Sequence, residues 1–166
     1  MLNVINADIT KLWLQGKTVC VTTNGFTRKD GSGVMGCGNA LAMAKIIPEL
    51  PICLGRHILD NGNVVGFIYD RVIAFPVKPI VGKSEQALDR VKHLYQNKKT
   101  VPGFHCKADM DIIKQSAYQL VHLIEKEKLQ QVYLPLPGVG NGGLTFEQVS
   151  PVLEYLNKNK VILLTL

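Results

Sequence analysis

The sequence predicts an α/β protein with a sheet covered on both faces. Three observations carry this. Short apolar runs alternate with helical stretches along all 166 residues. One of these runs, Thr18–Thr23 (TVCVTT), is β-branched and unbroken, as suits a strand buried on both faces. Two glycine-rich loops each follow a strand and open a helix.

In chain order, Val4–Ile5 is a short strand, and Asp8 or Thr10 caps a brief helical turn carrying Trp13. After the Thr18–Thr23 strand and the first glycine loop, Asn39–Ile47 reads as a helix stopped by Pro48, with Glu49–Leu59 a second short one. Asn61-Gly62-Asn63 is a turn signal before two strands, Val64–Tyr69 and Arg71–Pro76. Ser84-Glu85 caps a helix to about Gln96, and Asn97–Lys107 is a polar loop. Asp109 or Asp111 starts a long amphipathic helix to about Lys128, with Ile112, Ile113, Ala117, Leu120, Val121 and Ile124 on one face. Gln131–Leu136 is a buried strand, Thr145–Asn157 a helix and Lys160–Leu166 the last strand. No linker, repeat or low-complexity segment divides residues 1–166, so one domain is expected.

Composition limits the function classes. A hydrophobic share of 46% marks a globular chain. No apolar run approaches the roughly 18–20 residues that span a bilayer. Met1-Leu2-Asn3-Val4 lacks the layout of a signal peptide, so a cytoplasmic protein without a membrane partner is expected. Cys20, Cys37, Cys53 and Cys106 are widely spaced without a CxxC, and are expected to be reduced. His105 and Cys106 are adjacent but lack a second ligand pair, so no metal is expected. The net charge of +6 suits a phosphate-bearing ligand without identifying one. Lysines gathered in Lys92–Lys107 and Lys126–Lys128 read first as solvated surface and second as a nucleic-acid patch.

The first glycine loop, Asp30–Asn39, spells GxGxxG at Gly31, Gly33 and Gly36. The second, Pro137–Leu144, repeats it at Gly138, Gly140 and Gly143. Glycines let backbone N–H groups approach phosphate oxygens, and a helix N-terminus adds positive dipole. Two such loops, both belonging at the carboxyl ends of strands, suit a diphosphate held from both sides. A Rossmann site fits less well. It places one glycine turn directly after the first strand, whereas Asn24–Asp30 here separates strand from loop. No GxxxxGK[ST] occurs, which removes the Walker reading.

These residues resemble macro domains, most closely the bacterial and phage group that includes DNA de-ADP-ribosylating antitoxins and predicted ADP-ribose 1″-phosphate phosphatases. Asn6-Ala7-Asp8-Ile9-Thr10 is similar to the GDIT element, and Thr22-Thr23-Asn24 occupies the place of the NAAN stretch. Gly33-Val34-Met35-Gly36-Cys37-Gly38 is similar to the first phosphate loop, and Phe75-Pro76-Val77-Lys78 to the FPTK element. Leu134–Leu144, containing Pro137-Gly138-Val139-Gly140-Asn141-Gly142-Gly143-Leu144, is similar to the second loop. Val21, Asn39, Gly142 and Phe146 depart from the family pattern, Gly142 standing where a lysine-dependent branch carries a catalytic Asp.

The resemblance implies a three-layer α/β/α sandwich around a mixed, roughly six-stranded sheet. It implies that Asp8 accepts the adenine amino group, with Ile9 supplying a nearby backbone contact. Asn24, beside Thr23, would hold the distal ribose, and the two loops would enclose the diphosphate. Its activity would be hydrolysis at the distal ribose, releasing ADP-ribose from DNA or protein or dephosphorylating ADP-ribose 1″-phosphate. The alternative is a reader that binds ADP-ribose without chemistry. No cofactor is expected, and nucleic acid enters as a partner through modified DNA.

Lys78 and Asn24 are the candidate catalysts. Lys78 closes a strand, and can attack C1″ as a neutral amine or stabilise developing negative charge; phosphates nearby oppose the first role and favour the second. A solvent-facing lysine and an Asn24-Gly25 turn are the structural alternatives. Trp13, Phe67 and Phe75 read as core, while Tyr69 and Phe104 are candidates to flank a pocket that no sequence feature fixes.

Overall fold

A computed structural model describes residues 2–165; Met1 and Leu166, the ends of the sequence reading, lie outside the described residues. The element order is β1 (Val4–Asn6), α1 (Ile9–Leu14), β2 (Val19–Thr23), α2 (Gly38–Ile46), α3 (Leu50–Asn61), β3 (Gly66–Tyr69), β4 (Val72–Pro76), β5 (Val81–Gly82), β6 (Val101–Pro102), α4 (Met110–Lys126), β7 (Val132–Pro135), α5 (Phe146–Asn157) and β8 (Val161–Thr165). Three short 3₁₀ turns, Ser84–Gln86, Asp89–Tyr95 and Gly103–His105, lie between β5 and α4.

Six strands form one sheet in the order β1-β8-β7-β2-β4-β3. The neighbours pair in parallel except β3, which runs antiparallel to β4, so the sheet is mixed. Alternation along the central strands sorts side chains onto two faces. Cys20, Ile73, Phe75, Leu134 and Leu163 pack under α4 and α5. Val19, Val21, Ala74, Tyr133 and Leu164 pack under α1, α2 and α3. This is the three-layer α/β/α sandwich expected, and it explains why Thr18–Thr23 carries no polar face. Among the described residues no helix is long and apolar enough to cross a membrane.

The helix starts follow local chemistry. Asp8 caps α1 by accepting from the Thr10 N–H at 2.9 Å. Asp109 caps α4 by accepting from Asp111 and Ile112 N–H groups. Thr145 and Gln148 exchange hydrogen bonds as a capping box on α5. Ile113, Ala117, Leu120, Val121 and Ile124 are buried on α4, as their spacing predicts, while Ile112 is half-buried.

Residues 81–107 correct the sequence reading. The helix expected from Ser84 to Gln96 is broken at Ala87 and Leu88, which are extended. The cause is pairing with the following segment: Ala87 bridges Cys106, and Leu88 N–H donates to the His105 carbonyl at 2.9 Å. Nor is Asn97–Lys107 a purely polar loop. It contributes β6, which pairs with β5, and its Val101 and Cys106 are fully buried with Ala87 in a small separate core. Tertiary pairing here overrides local propensity. Phe67 also differs from expectation. On edge strand β3 its side chain is 40% exposed, whereas Phe75 is fully buried and Trp13 is half-buried against Tyr69 and Arg71.

Candidate functional site

The chain leaves β2 toward β4 on one side and β7 toward β8 on the other, so the connections diverge between β2 and β7. Such a reversal opens a crevice at the carboxyl ends of parallel strands. A cavity of about 590 Å³ fills this crevice, within the range of small-molecule sites. Its floor is Thr22, Thr23, Pro135, Leu136, Leu164 and Thr165, the ends of three strands. The loop after β2 and the loop after β7 form its walls.

Along the first wall Val34, Met35, Gly36, Cys37 and Gly38 line the cavity. Cys37, at the N-cap of α2, makes no side-chain capping bond, so the first N–H groups of that helix are not capped by it. Gly38 has φ +58 and would bring a Cβ within 3.2 Å of Asn141 Nδ2, which sets the two loops in contact. Asn39, absent from the expected site, proves structural. Its Oδ1 accepts from Thr22 N–H at 3.0 Å and its Nδ2 donates to Thr22 Oγ1 at 2.8 Å. The registered pairing of β2 with β7 is confined to Val19 and Tyr133, so Asn39 serves the β2 edge above the point where the strands part.

Along the second wall Gly138, Val139, Gly140, Asn141 and Gly142 line the cavity. Gly138, Gly140 and Gly143 all have positive φ, between 77 and 78. The loop closes on itself through Leu144 N–H donating to Gly138 O and Gly143 N–H to Gly140 O. A Cβ on Gly142 would lie 2.5 Å from Gly138 O. This loop conformation therefore admits no Asp at that position.

Four residues expected to touch ligand stand behind these walls rather than in them. Gly33 N–H donates to Pro51 O, and the residue packs against Leu54 of α3. Pro137 and Gly143 belong to the loop's frame, and Leu144 packs on the α4–α5 core. Ile9, 2% exposed, lines a second hollow of about 300 Å³ with Asn6, Ala7, Asp8 and Ala42. That hollow adjoins the main cavity, Gly38 and Asn39 lining both. Asp8 is exposed there, and its bonds from Thr10 hold its carboxyl below the usual range.

At the far end Thr23, Asn24 and Lys78 are all buried. Thr23 Oγ1 has no hydrogen-bond partner among the described residues. Asn24 is engaged at both ends, donating to Val34 O at 3.1 Å and accepting from Phe26 N–H at 3.0 Å. It clips the loop while lining the cavity, which joins the two readings of that residue. Lys78 is 8% exposed, not solvent-facing, and its Nζ donates to Phe104 O at 3.4 Å. Burial lowers its pKa, with Arg90 adding to this and Cys37 and Cys106 opposing it.

Arg90, Phe104 and His105 complete this end. Phe104 was anticipated as a flanking residue; Arg90 and His105 were not. They arrive on the 81–107 excursion, whose fold the sequence did not disclose. Tyr69 lies elsewhere, donating to Glu49 on the sandwich surface. Cys106 turns away, its Sγ donating to the carbonyls of Val101 and Pro102. Among the described residues the main cavity is lined by two basic side chains and a histidine but by no Asp or Glu side chain.

The same architecture occurs in solved structures. The macrodomain of Mycobacterium tuberculosis DarG covers 98% of its own chain and 100% of this one, with a TM-score of 0.67 and 18% identity. The chain has the macrodomain fold. The macrodomain of Thermus aquaticus DarG has the same coverage, a TM-score of 0.63 and 16% identity. Thermosipho africanus DarTG, solved in complex with ADP-ribose, matches over 89% of this chain and 37% of its own, with a TM-score of 0.59 and 17% identity. No family model matches the chain, and no curated protein does. In macrodomain terms, the cleft lies at the strand ends between the two glycine loops.

Proposed function

We propose that this macrodomain binds ADP-ribose in the cleft and hydrolyses a bond at the distal ribose. The observation that carries the reading is a cavity walled by two glycine loops and the N-terminus of α2, with a smaller hollow adjoining it. The hollow carries Asp8, and the main cavity Lys78 and Arg90 with no Asp or Glu side chain among the described residues. A diphosphate fits between backbone N–H groups. A base with an exocyclic amine fits beside Asp8, and a distal ribose beside Thr23 and Asn24. The ADP-ribose complex of Thermosipho africanus DarTG supports the ligand assignment through its fold.

In this reading Lys78 stabilises negative charge developing on the leaving group. Its burial strengthens that interaction relative to water. Candidate substrates are ADP-ribosylated DNA, ADP-ribosylated protein and ADP-ribose 1″-phosphate. Isothermal titration with ADP-ribose tests the binding half. Single-turnover hydrolysis by wild type and Lys78→Ala tests the catalytic half, with a loss of about 10²-fold or more expected for the variant.

A second reading is binding without chemistry, and the lack of an Asp or Glu side chain among the described lining residues favours it. Under that reading ADP-ribose binds tightly, none of the three substrates turns over, and Lys78→Ala leaves affinity unchanged. Absence of ADP-ribose binding removes both readings.

A further inference from the structure

Hydrolysis at C1″ needs a group to take the proton of the attacking water. The titratable side chains lining the main cavity are Cys37, Lys78, Arg90 and His105. No Asp or Glu is among them, and Gly142 has no room for one. Arg90 cannot give up its proton near neutrality, and Lys78 retains its positive charge in the role assigned to it. A thiol titrates near 8.5 when unperturbed, and an imidazole near 6.5. His105 is therefore the lining group best matched to proton transfer at neutral pH.

Its surroundings hold the ring. Tyr95 Oη lies 2.6 Å from His105 Nδ1, and the rings meet edge to face with centroids 5.7 Å apart. Phe104 also meets the ring edge to face at 4.6 Å, and itself packs on Phe26 at 5.1 Å. Nε2 makes no hydrogen bond among the described residues. A histidine tied at one nitrogen and free at the other, on a cavity wall, is arranged as general bases are.

Resting on the hydrolytic reading above, we propose that His105 is the general base, a catalytic residue, and that Tyr95 is its positioning residue. In the balanced step the water oxygen bonds to C1″. The bond from C1″ to the leaving atom breaks, its electron pair going to that atom. Nε2 takes the water proton and returns it to the leaving group. The step uses the tautomer in which Nδ1–H donates to Tyr95 Oη, which leaves the lone pair on Nε2.

The charges facing the imidazole agree. Arg90 from the Asp89–Tyr95 turn and Lys78 from the end of β4 are cationic, Tyr95 and Cys106 are neutral, and no Asp or Glu side chain lines this wall among the described residues. Burial, then Arg90 and Lys78, lower the imidazole pKa and keep it in the basic, neutral form at pH 7.

The test uses the full chain and two substrates, an oligonucleotide and a protein each carrying ADP-ribose through C1″. His105→Gln, Tyr95→Phe and Cys37→Ala are compared with wild type in single turnover from pH 5 to 9, with ADP-ribose titration as the control for an intact cleft. His105→Gln is expected to lose about 10²-fold or more in rate and the acid limb of the pH profile. Its ADP-ribose affinity should stay within about threefold, a change under 1 kcal/mol. Tyr95→Phe removes an acceptor that favours the doubly protonated ring. It should slow turnover about tenfold and move the acid limb to lower pH, which a purely structural role would not do. Retention of rate within about threefold by His105→Gln overturns the proposal. So does loss of rate in Cys37→Ala with His105→Gln unaffected. Binding of ADP-ribose by wild type without turnover overturns the base assignment together with the hydrolytic reading, leaving the binding reading intact; absence of binding removes that as well.

Discussion

Lys78 Nζ is 3.4 Å from the carbonyl oxygen of Phe104, and no carboxylate pairs with it among the described residues. A buried ammonium with one long hydrogen bond is under-solvated, and burial lowers its pKa accordingly. Replacing it by Lys78→Met keeps the volume and removes the charge. The ligand-free protein should then melt roughly 2–4 °C higher at pH 7, the shift that about 1 kcal/mol produces in a chain of this length.

The pH dependence has a definite sign. The folded-state pKa lies below the unfolded one, so between the two the unfolded chain binds more protons and stability rises with pH. The advantage of Lys78→Met should therefore shrink as pH climbs toward the ordinary lysine pKa. Melting curves at pH 7 and pH 10 check this; a gap that widens with pH contradicts the stated burial.

Gly142 and Gly140 make a contrasting pair on the second loop. A Cβ at Gly142 would meet backbone at Gly138, whereas Gly140, at φ +77, opens on free space. Gly142→Ala should cost about 1–3 kcal/mol in urea denaturation, the range for forced overpacking. It should also lower ADP-ribose affinity at least tenfold by moving the wall. Gly140→Ala should cost about 1–2 kcal/mol from left-handed backbone alone. Equal effects on affinity would mean that the loop yields at Gly142.

Asn39 bonded to Thr22 gives a third prediction. Asn39→Ala removes both bonds and leaves the Thr22 N–H without a protein partner at the strand edge. Denaturant midpoints should report a loss of about 1–2 kcal/mol. Asn39→Leu should be no better, since the leucine offers no acceptor. If Asn39→Leu equals wild type, water serves the strand end and the clip is dispensable.

How much of this was legible follows from the reach of each signal. The central strands were readable because burial on both faces leaves Val19-Cys20-Val21 no polar position. The α4 face was readable because its apolar residues recur at helical spacing. Glycine loops after strands were also legible, since each spells its own backbone demands. Gly33 shows the limit: the same glycine that suggests phosphate contact is needed here for packing on Leu54. No local signal placed Arg90 or His105 at this cavity. Their place depends on Leu88 pairing with His105 across a segment whose own pattern suggests a helix, and such long-range pairing leaves no periodicity to find. Asn39 could have been suspected, because an amide at the start of a helix beside a threonine strand end can bond either.

Asp8 joins a structural role to a proposed ligand role, and two substitutions separate them. Its carboxylate accepts from both the N–H and the hydroxyl of Thr10, the latter at 2.6 Å. Asp8→Asn keeps a capping oxygen but loses the charge; Asp8→Ala loses both. If Asp8 accepts from an exocyclic amine, Asp8→Ala should weaken ADP-ribose binding about tenfold or more, and Asp8→Asn should fall between it and wild type. The Thr10 bonds hold the carboxyl ionised below the ordinary carboxylate range. On a His105→Gln background, which removes the cavity imidazole, affinity should consequently stay flat from pH 8 to pH 5, and fall only once the pH drops below that range. An affinity that still halves between pH 6 and pH 5 on that background would contradict an Asp8 carboxylate held ionised below the ordinary range. Calorimetric titrations of the three proteins across that span distinguish cap from contact.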